Sequence, residues 1–245
     1  MIVLNLRRSA ERRAFMSAQA ARHGIDFEFV DSVDAEELRA RGITPPPGLS
    51  ITEWACLLTH TGVWRRVGAG EQPAVVLEDD VDLSPSFSDV VGAIAHRLSG
   101  DTLVLLGHHS TFRPPRQGVR VCFWRTNLIS GYRLGQVAEF AMGAYATLIF
   151  PGAARRLVGF SEPARMPADW VTGYSPRAGV RLLAVTPPCV TPAALASAST
   201  ILDPCAEPGR SGNVRPELPR SLSTLWAFVR QMGIAPSAYA LRLER

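Results

Sequence analysis

The chain has 245 residues and a net charge of +4, and 47% of its residues are hydrophobic. This length and composition are ordinary for a globular protein with one large domain, or one domain and a small appendage. The basic residues are all arginines and form no long block, so they do not indicate nucleic-acid binding. No apolar run reaches the ~18–20 residues of a transmembrane helix.

The N-terminal segment predicts a strand-helix-strand unit. Residues 2–6 are an apolar strand, and the segment 9–24 has helical spacing between a Ser9 cap and a Gly24 stop. Alternating apolar and acidic residues predict a second strand within 26–34, which favours a parallel pair. The basic residues follow the apolar start, whereas in a signal peptide they precede it, so we expect a cytoplasmic protein.

The following segments continue the alternation of helices and strands. Ser50 and Glu53 form a capping-box pattern at the start of the clearest helix, 50–70. The region 110–135 has little periodicity and predicts an irregular loop. The remaining predicted elements are a strand ending near Glu78, a helix at 86–98, strands at 101–109 and 143–151, a helix that follows directly, and a strand at 181–190. This order predicts an α/β domain.

The composition changes near residue 203. From there the chain is rich in proline and arginine, with one predicted helix at 220–233. We therefore divide the chain into a main domain, 1–202, and a C-terminal tail, 203–245. The four cysteines are scattered without a Cys-x-x-Cys pair, and we expect reduced thiols.

A group of carboxylates ends the strand VVLEDDVDL, residues 75–83. In a continuing strand Glu78 and Asp80 point to one side and Asp79 points to the other. A divalent cation such as Mn²⁺ or Mg²⁺ would offset the repulsion between Glu78 and Asp80. Asp82 lies close to the predicted end of the strand, and we expect it to be solvated.

Ligands of open α/β sheets bind beyond the carboxyl ends of the strands, where this acidic group lies. Two reaction classes use an acid pair with a metal there. One is glycosyl transfer from a nucleotide sugar, and the other is phosphoryl transfer through an aspartyl nucleophile. The second class favours an aspartate where Glu78 stands. A solvated strand end without a ligand is a third interpretation, and the short motif does not decide among them.

Several segments resemble, in the right order, motifs of glycosyltransferase family 25, the bacterial lipooligosaccharide galactosyltransferase family. The match covers roughly residues 1–202 and consists of VLNLRRSAERRAFM, EWACLLTHTGVW, VVLEDDVDLSPSF, GAYATLIFPGAARRLV, MPADW and PPCVTPAALASASTI. Two positions depart from the family pattern: Arg7 stands where an acid is usual, and Thr59 replaces a serine.

The resemblance implies a GT-A-like, Rossmann-like mixed sheet flanked by helices. It also implies a metal-dependent, inverting transferase that moves a sugar, most typically galactose, from a UDP-sugar to a lipooligosaccharide or another cell-surface glycan. Two other interpretations stay open. One is a metal-dependent phosphohydrolase that uses the same acidic strand end. The other, which the departures favour, is a non-catalytic protein that binds a sugar nucleotide or a glycan.

Within the transferase interpretation, the acids and the first strand hold the metal and the donor. Asp80 and Glu78 are the predicted ligands of Mn²⁺ or Mg²⁺. Glu78 is also a candidate for the donor ribose, and Asp79 for donor hydroxyls or a helix cap. Asn5 and Leu6 end the first strand, where backbone groups can meet the uracil.

Three further residues are predicted to contact the donor. Arg8 and Arg12 lie near a helix start and suit its phosphates, with a solvated helix face as the alternative. His60 is predicted to line the donor site, with a structural role as the alternative. Cys56, one helical turn before His60, is expected to pack in the core.

An inverting transferase needs a general base at the acceptor hydroxyl. Asp169 is the candidate, on a predicted loop, with helix capping as its alternative, and Trp170 is a candidate for stacking on a sugar ring. His108 and His109 end another strand, and we expect neither to bind the metal. The tail helix is expected either to lie on an anionic inner-membrane surface or to pack on the domain.

Overall fold

The computed structural model of the chain describes residues 1–110, 119, 121–129, 131–137, 140–162 and 166–194. The predicted tail, with its helix at 220–233, lies outside the described residues, as do the last residues of the predicted main domain. None of the described helices has both the length and the apolar character needed to cross a membrane.

Strands and helices alternate along the described chain. The strands are β1 Ile2–Asn5, β2 Glu28–Asp31, β3 Ala74–Glu78, β4 Val81–Leu83, β5 Thr102–Leu105, β6 His109–Ser110, β7 Val121–Asn127, β8 Arg133–Val137, β9 Ala141–Met142, β10 Ala146–Ile149, β11 Arg181–Thr186 and β12 Val190–Pro192. The helices are α1 Ala10–His23, α2 Ala35–Ala40, α3 Ile51–Ala69, α4 Phe87–Ala95, α5 Pro151–Ser161 and α6 Ala168–Gly173, with a 3₁₀ helix at Ser175–Ala178.

Local signals define the two helices that support the acidic strand end. Helix α1 starts after Ser9, whose side chain makes no capping hydrogen bond, and stops at Gly24, whose φ of 61° is in the left-handed region that glycine adopts without strain. Helix α3 has the predicted capping box, in which Ser50 and Glu53 each bond the other's backbone N–H. Both predicted helices are confirmed within a residue of their ends.

The main sheet has the strand order β2-β1-β3-β10-β5-β11-β8-β7. Strand β1 pairs in parallel with β2 and β3, which confirms the predicted parallel pair. Strand β10 is antiparallel to both β3 and β5, so β3 and β5 run in the same direction. Strands β1, β3 and β5 therefore end at one edge of the sheet, at Asn5, Glu78 and Leu105, and we call this the carboxyl edge.

Helices cover both faces of the main sheet. Alternate residues of each strand belong to different apolar clusters, so Val76 packs with Leu57 and Trp64 of α3, while Leu77 packs with Phe87 of α4 and Met16 of α1. The predicted mixed sheet flanked by helices is confirmed.

Two sequence predictions about local structure are wrong. The region 110–135, expected to be a loop, contains β7 and most of β8, which extend the sheet beyond β11. A neighbouring strand supplies their hydrogen bonds, so they form without a strong alternation of their own. Asp169, expected in a loop, lies in the first turn of α6, which is too short for periodicity to reveal.

Candidate active site

The acids at the end of β3 do not alternate as predicted. The strand ends at Glu78, and Asp79 and Asp80 occupy the turn that follows. Arg12 Nη1 of α1 donates to Asp79 Oδ1 at 2.9 Å and to Asp80 Oδ2 at 3.1 Å. The prediction that Asp79 faces away from Asp80 is wrong, because alternation holds only while the strand continues.

Neighbouring elements hold this turn in place. Ala193 N donates to the carbonyl oxygen of Asp80 at 2.8 Å. The buried Gln19 amide of α1 bonds both the Val81 carbonyl and the Leu83 N–H, at 2.6 and 2.8 Å. Asp82, by contrast, is exposed on β4, as predicted. The positions of the acids therefore depend on contacts with α1 and with the segment after β12.

Asp80 is the carboxylate whose charge is least compensated. Burial, and to a lesser extent the charge of Glu78, raise its pKa from 3.8 to about 6, even though the charge of Arg12 lowers it. Both oxygens of Asp79, in contrast, accept charge-assisted or amide hydrogen bonds, from Arg12 at 2.9 Å and from Asn5 Nδ2 at 2.7 Å. Asp80 is therefore the acid of this turn that a cation would stabilise most.

Asn5 links the end of β1 to the acidic turn. Its amide nitrogen donates to Asp79 Oδ2 and to the Ser9 carbonyl, and its Oδ1 is buried with no hydrogen-bond partner among the described residues. A buried acceptor without a donor is unfavourable, so Oδ1 is suited to a ligand N–H group. The neighbouring Leu6 carbonyl accepts a bond from Ser9 N at 2.8 Å.

Glu78 faces helix α3 on the other side of the strand end. Its Oε1 lies 3.3 Å from Nε2 of His60, a side chain that is only 2% exposed. The His60 ring also lies against Trp64, with 5.8 Å between ring centroids. The sulfur of Cys56 lies within 4.8 Å of the nearest ligand atoms of His60 and Glu78. Cys56 packs at the margin of the core, but its thiol also faces these polar groups.

Asp169 reaches the same region from α6. Its Oδ1 accepts the backbone N–H groups of Gly143 and Ala144 at 3.1 and 2.7 Å, so it fixes the turn before β10 rather than capping its own helix. A Cβ at Gly143 would meet the Gly107 carbonyl, which explains the glycine there. Burial raises the pKa of the Tyr145 phenol, and the charges of Asp169 and Glu78 raise it further.

An aromatic surface adjoins Asp169. Trp170 is 37% exposed and packs edge-to-face on Phe140 and Tyr174, with centroid distances of 5.9 and 6.2 Å. The guanidinium of Arg177 lies over the Tyr174 ring, 4.3 Å from its centroid. An exposed indole supported in this way offers an apolar face on the residue that follows Asp169.

The structure brings Asn5, Arg12, His60 and the three acids together, but it places Arg8 elsewhere. Arg8 Nε donates to Asp34 Oδ2 at 2.6 Å, and its Nη2 lies 3.4 Å from Glu36 Oε1. Asp34 also caps α2 by accepting the Glu36 N–H. Arg8 is thus paired with the start of α2, and a phosphate role would require it to leave these partners.

His108 has a structural environment. Its Nδ1 accepts the Val119 N–H at 3.0 Å, so the Nε2–H donates to the Val185 carbonyl at 2.7 Å. Burial lowers its pKa to about 4, which keeps the ring neutral. His109 instead stacks on Tyr145, with 6.3 Å between centroids. Both nitrogens of His108 are occupied, so it is unsuited to bind a metal.

A family comparison covers most of the described chain. The model of glycosyltransferase family 25, described as an LPS biosynthesis protein family, matches residues 1–172. The chain belongs to glycosyltransferase family 25. The matched range includes the ends of β1 and β3, the capped helix α3 and Asp169, which are the elements that form the candidate site.

Curated relatives match over shorter ranges. A glycosyltransferase 25 family member of Aedes aegypti is 30% identical over 123 residues, which cover 43% of this chain and 20% of the relative. The lacto-N-neotetraose biosynthesis glycosyltransferase LgtB of Neisseria meningitidis is 34% identical over 87 residues, which cover 32% of each chain. The match thus spans about a fifth of the mosquito relative and about a third of the Neisseria relative.

The prediction that Cys56 packs with the core is confirmed, but it does not include the proximity of the thiol to Glu78. The spacing of four residues between Cys56 and His60 already places both on one face of α3. The sequence pattern assigns no role to Tyr145. The Tyr145 carbonyl accepts the Glu78 N–H at 2.8 Å, a contact between distant segments that no local pattern reveals.

Proposed function

We propose that this protein is a metal-dependent, inverting glycosyltransferase that transfers a sugar from a UDP-sugar to a hydroxyl group of a lipooligosaccharide or another cell-surface glycan. We take galactose as the donor sugar because the family resemblance favours it. One observation carries the proposal. At the carboxyl edge of the sheet, carboxylates with incomplete charge compensation lie close to the partly buried Arg12, and Asp169 is held nearby by a different segment.

The carboxylates of this edge fit a divalent cation. Asp80 and Glu78 supply oxygen ligands, which Mn²⁺ and Mg²⁺ prefer, and the raised pKa of Asp80 reflects burial and the repulsion that a cation would relieve. The bound ion would neutralise charge that develops on the diphosphate leaving group. Both carboxylate oxygens of Asp79 accept hydrogen bonds, one from Arg12 and one from Asn5, and we propose that Asp79 positions these two side chains.

The donor would lie across the ends of β1 and β3. Arg12, with 18% of its side chain exposed, is close enough to the acids to bind a phosphate oxygen beside them. The unpartnered Oδ1 of Asn5 would accept an N–H of the uracil. His60 and Glu78 would border the same donor. These assignments use groups from four separate elements, β1, α1, α3 and β3.

The reaction would be a single displacement. The acceptor oxygen forms a bond to the anomeric carbon while the bond from that carbon to the diphosphate oxygen breaks, and the electron pair leaves with UDP. Asp169 would take the proton of the acceptor hydroxyl. Both described hydrogen bonds of Asp169 use Oδ1, so Oδ2 would be the accepting oxygen.

Trp170 would stack on the acceptor sugar, because it follows Asp169 in α6 and its exposed indole has an aromatic support. The acceptor would be a glycan or a glycolipid at the cytoplasmic face of the inner membrane. A peripheral membrane contact through the tail helix stays a prediction, since 220–233 lie outside the described residues.

A nucleotide-sugar panel tests the proposal. UDP-galactose and other UDP-sugars are each added with Mn²⁺ to the full chain. A sugar that binds should raise the free energy of unfolding by about 2.7 kcal/mol at a ligand concentration of 100 times Kd. Matched GDP-sugars serve as controls for the base. The stabilising UDP-sugar should then release UDP when glycan acceptors are added.

Two other results would replace the proposal. Turnover of phosphomonoesters without UDP-sugar turnover would favour the phosphohydrolase interpretation. Stabilisation by a sugar nucleotide or a glycan without any transfer or hydrolysis would favour a binding protein.

A further inference from the structure

Three chemically different metal-binding groups meet between α3 and the end of β3. The ligand atoms of Cys56, His60 and Glu78 all lie within 4.8 Å of one another. In the function proposed above, Glu78 binds the metal and His60 borders the donor, but the Cys56 thiol has no role. The cluster therefore needs an explanation of its own.

Two rigid elements hold the three groups. Cys56 and His60 are four residues apart on α3, so both side chains lie on one face of the helix. Paired ligands at this spacing on one helix also occur in the zinc-binding motif His-Glu-x-x-His. Glu78 is the last residue of β3, whose backbone is fixed by β1 and β10. Such placement suits a binding site because little reorganisation is needed.

The distance between His60 and Glu78 already matches a tetrahedral metal site. Zinc bonds to imidazole nitrogen and carboxylate oxygen are about 2.0–2.1 Å long, which places two such atoms about 3.3 Å apart at a tetrahedral angle. The distance between His60 Nε2 and Glu78 Oε1 is 3.3 Å. The Cys56 sulfur lies within 4.8 Å of both groups, so the third ligand is within a short movement of this site.

The donor set selects the class of metal. Magnesium and manganese prefer oxygen ligands, whereas thiolate and imidazole favour zinc and similar borderline cations. We infer that Cys56, His60 and Glu78 form a binding site for Zn²⁺ or a cation of similar chemistry, which shares only Glu78 with the oxygen-ligand site proposed at Asp80. Three protein ligands leave a fourth position for water or another small ligand.

Zinc at this site would compete with the proposed metal site for Glu78. Occupation by zinc would then withdraw Glu78 from the donor metal and inhibit transfer supported by Mn²⁺. This inhibition rests on the proposed function, whereas binding at Cys56, His60 and Glu78 does not.

Cobalt(II), a spectroscopic substitute for zinc, tests the site directly. The untagged, reduced full chain should bind one equivalent of Co²⁺ and show a thiolate-to-cobalt charge-transfer band in the near ultraviolet, and zinc should abolish this band. Cys56→Ser should lose the band, and Glu78→Gln should weaken binding by more than about tenfold, since loss of even an outer-shell partner costs that much.

Matched variants assign the signal. A variant with serine at Cys122, Cys189 and Cys205 should keep the band, and circular dichroism should show that each variant is folded. Absence of the band in the wild-type chain, or its persistence in Cys56→Ser, would overturn the inference. Asp80→Asn should keep the cobalt band while it loses Mn²⁺-supported transfer, so this site and the proposed function can fail separately.

Discussion

Strands β3 and β5 end at the same edge of the sheet, separated only by β10, yet their polar residues differ in kind. At the end of β3, Asp79 and Asp80 share one arginine nitrogen, and the pKa of Asp80 is raised to about 6 by burial and by Glu78. At the end of β5, both nitrogens of His108 are paired with backbone groups. The comparison teaches that burial alone does not distinguish a structural group such as His108, whereas burial with incomplete compensation makes Asp80 a candidate for function.

The largest expected effect is on the β3 side. Asp80→Asn should lower Mn²⁺-supported transfer roughly 10³-fold, because a lost metal ligand removes stabilisation of the charge on the leaving group. The neutral amide also relieves repulsion, so the variant should be at least as stable as the wild type near neutral pH. Steady-state kinetics and urea unfolding would measure both effects. Unchanged kcat and unchanged Mn²⁺ dependence would contradict the metal assignment.

Asp169→Asn should lower kcat roughly 10²-fold, because the amide cannot take the acceptor proton. Its Oδ1 still accepts the N–H groups of Gly143 and Ala144, so the turn should persist. Unfolding measurements on the same sample provide the control. If activity fell only in proportion to lost stability, Asp169 would be a structural residue like His108.

On the β5 side, His108→Leu should lower the free energy of unfolding by roughly 2–4 kcal/mol, because it leaves the Val119 N–H and the Val185 carbonyl without partners. The kinetics of the folded fraction should be unchanged. His96→Leu, at an exposed position, is the matched control and should have little effect. A selective loss of kcat in the His108 variant would remove the distinction between the two strand ends.

The two strand ends should also respond oppositely to pH. Asp80 has a pKa of about 6 when folded and 3.8 as its ordinary value, so its contribution to stability increases as pH falls through that window. His108 has a pKa of about 4 when folded and 6.5 ordinarily, so its contribution is lost as pH falls from 6.5. Urea unfolding between pH 4 and 7, compared with Asp80→Asn and His108→Leu, would isolate the two contributions. If the free energy of unfolding had the same pH dependence in the wild type and in both variants, the assignment of these contributions to Asp80 and His108 would be refuted.

The smallest effect is expected from Asp82→Asn. Asp82 is exposed and lies two residues beyond Asp80. The substitution should change stability by less than about 0.5 kcal/mol and leave transfer unchanged. A large loss of activity would show that the acidic site extends further along β4.

Local patterns predicted several elements and the general location of the site. Ser9, Gly24 and the Ser50–Glu53 capping box predicted the helices α1 and α3, because caps depend on neighbours in sequence. The apolar run before Glu78 predicted β3, because this signal also depends only on neighbours in sequence. Strands β7 and β8 were missed because their pairing partners are distant in sequence.

The sequence by itself determined the α/β class, the capped helices, the acidic strand end and the family, since all of these depend on local patterns or ordered motifs. Only the tertiary structure decided which partner each acid meets. It paired Asp79 and Asp80 with Arg12 and turned Glu78 toward His60 and Cys56. The physical reason is that the chain turns after Glu78, and the groups that surround the turn come from β1, α1, α3 and the segment after β12, whose positions are set by packing of distant parts of the chain.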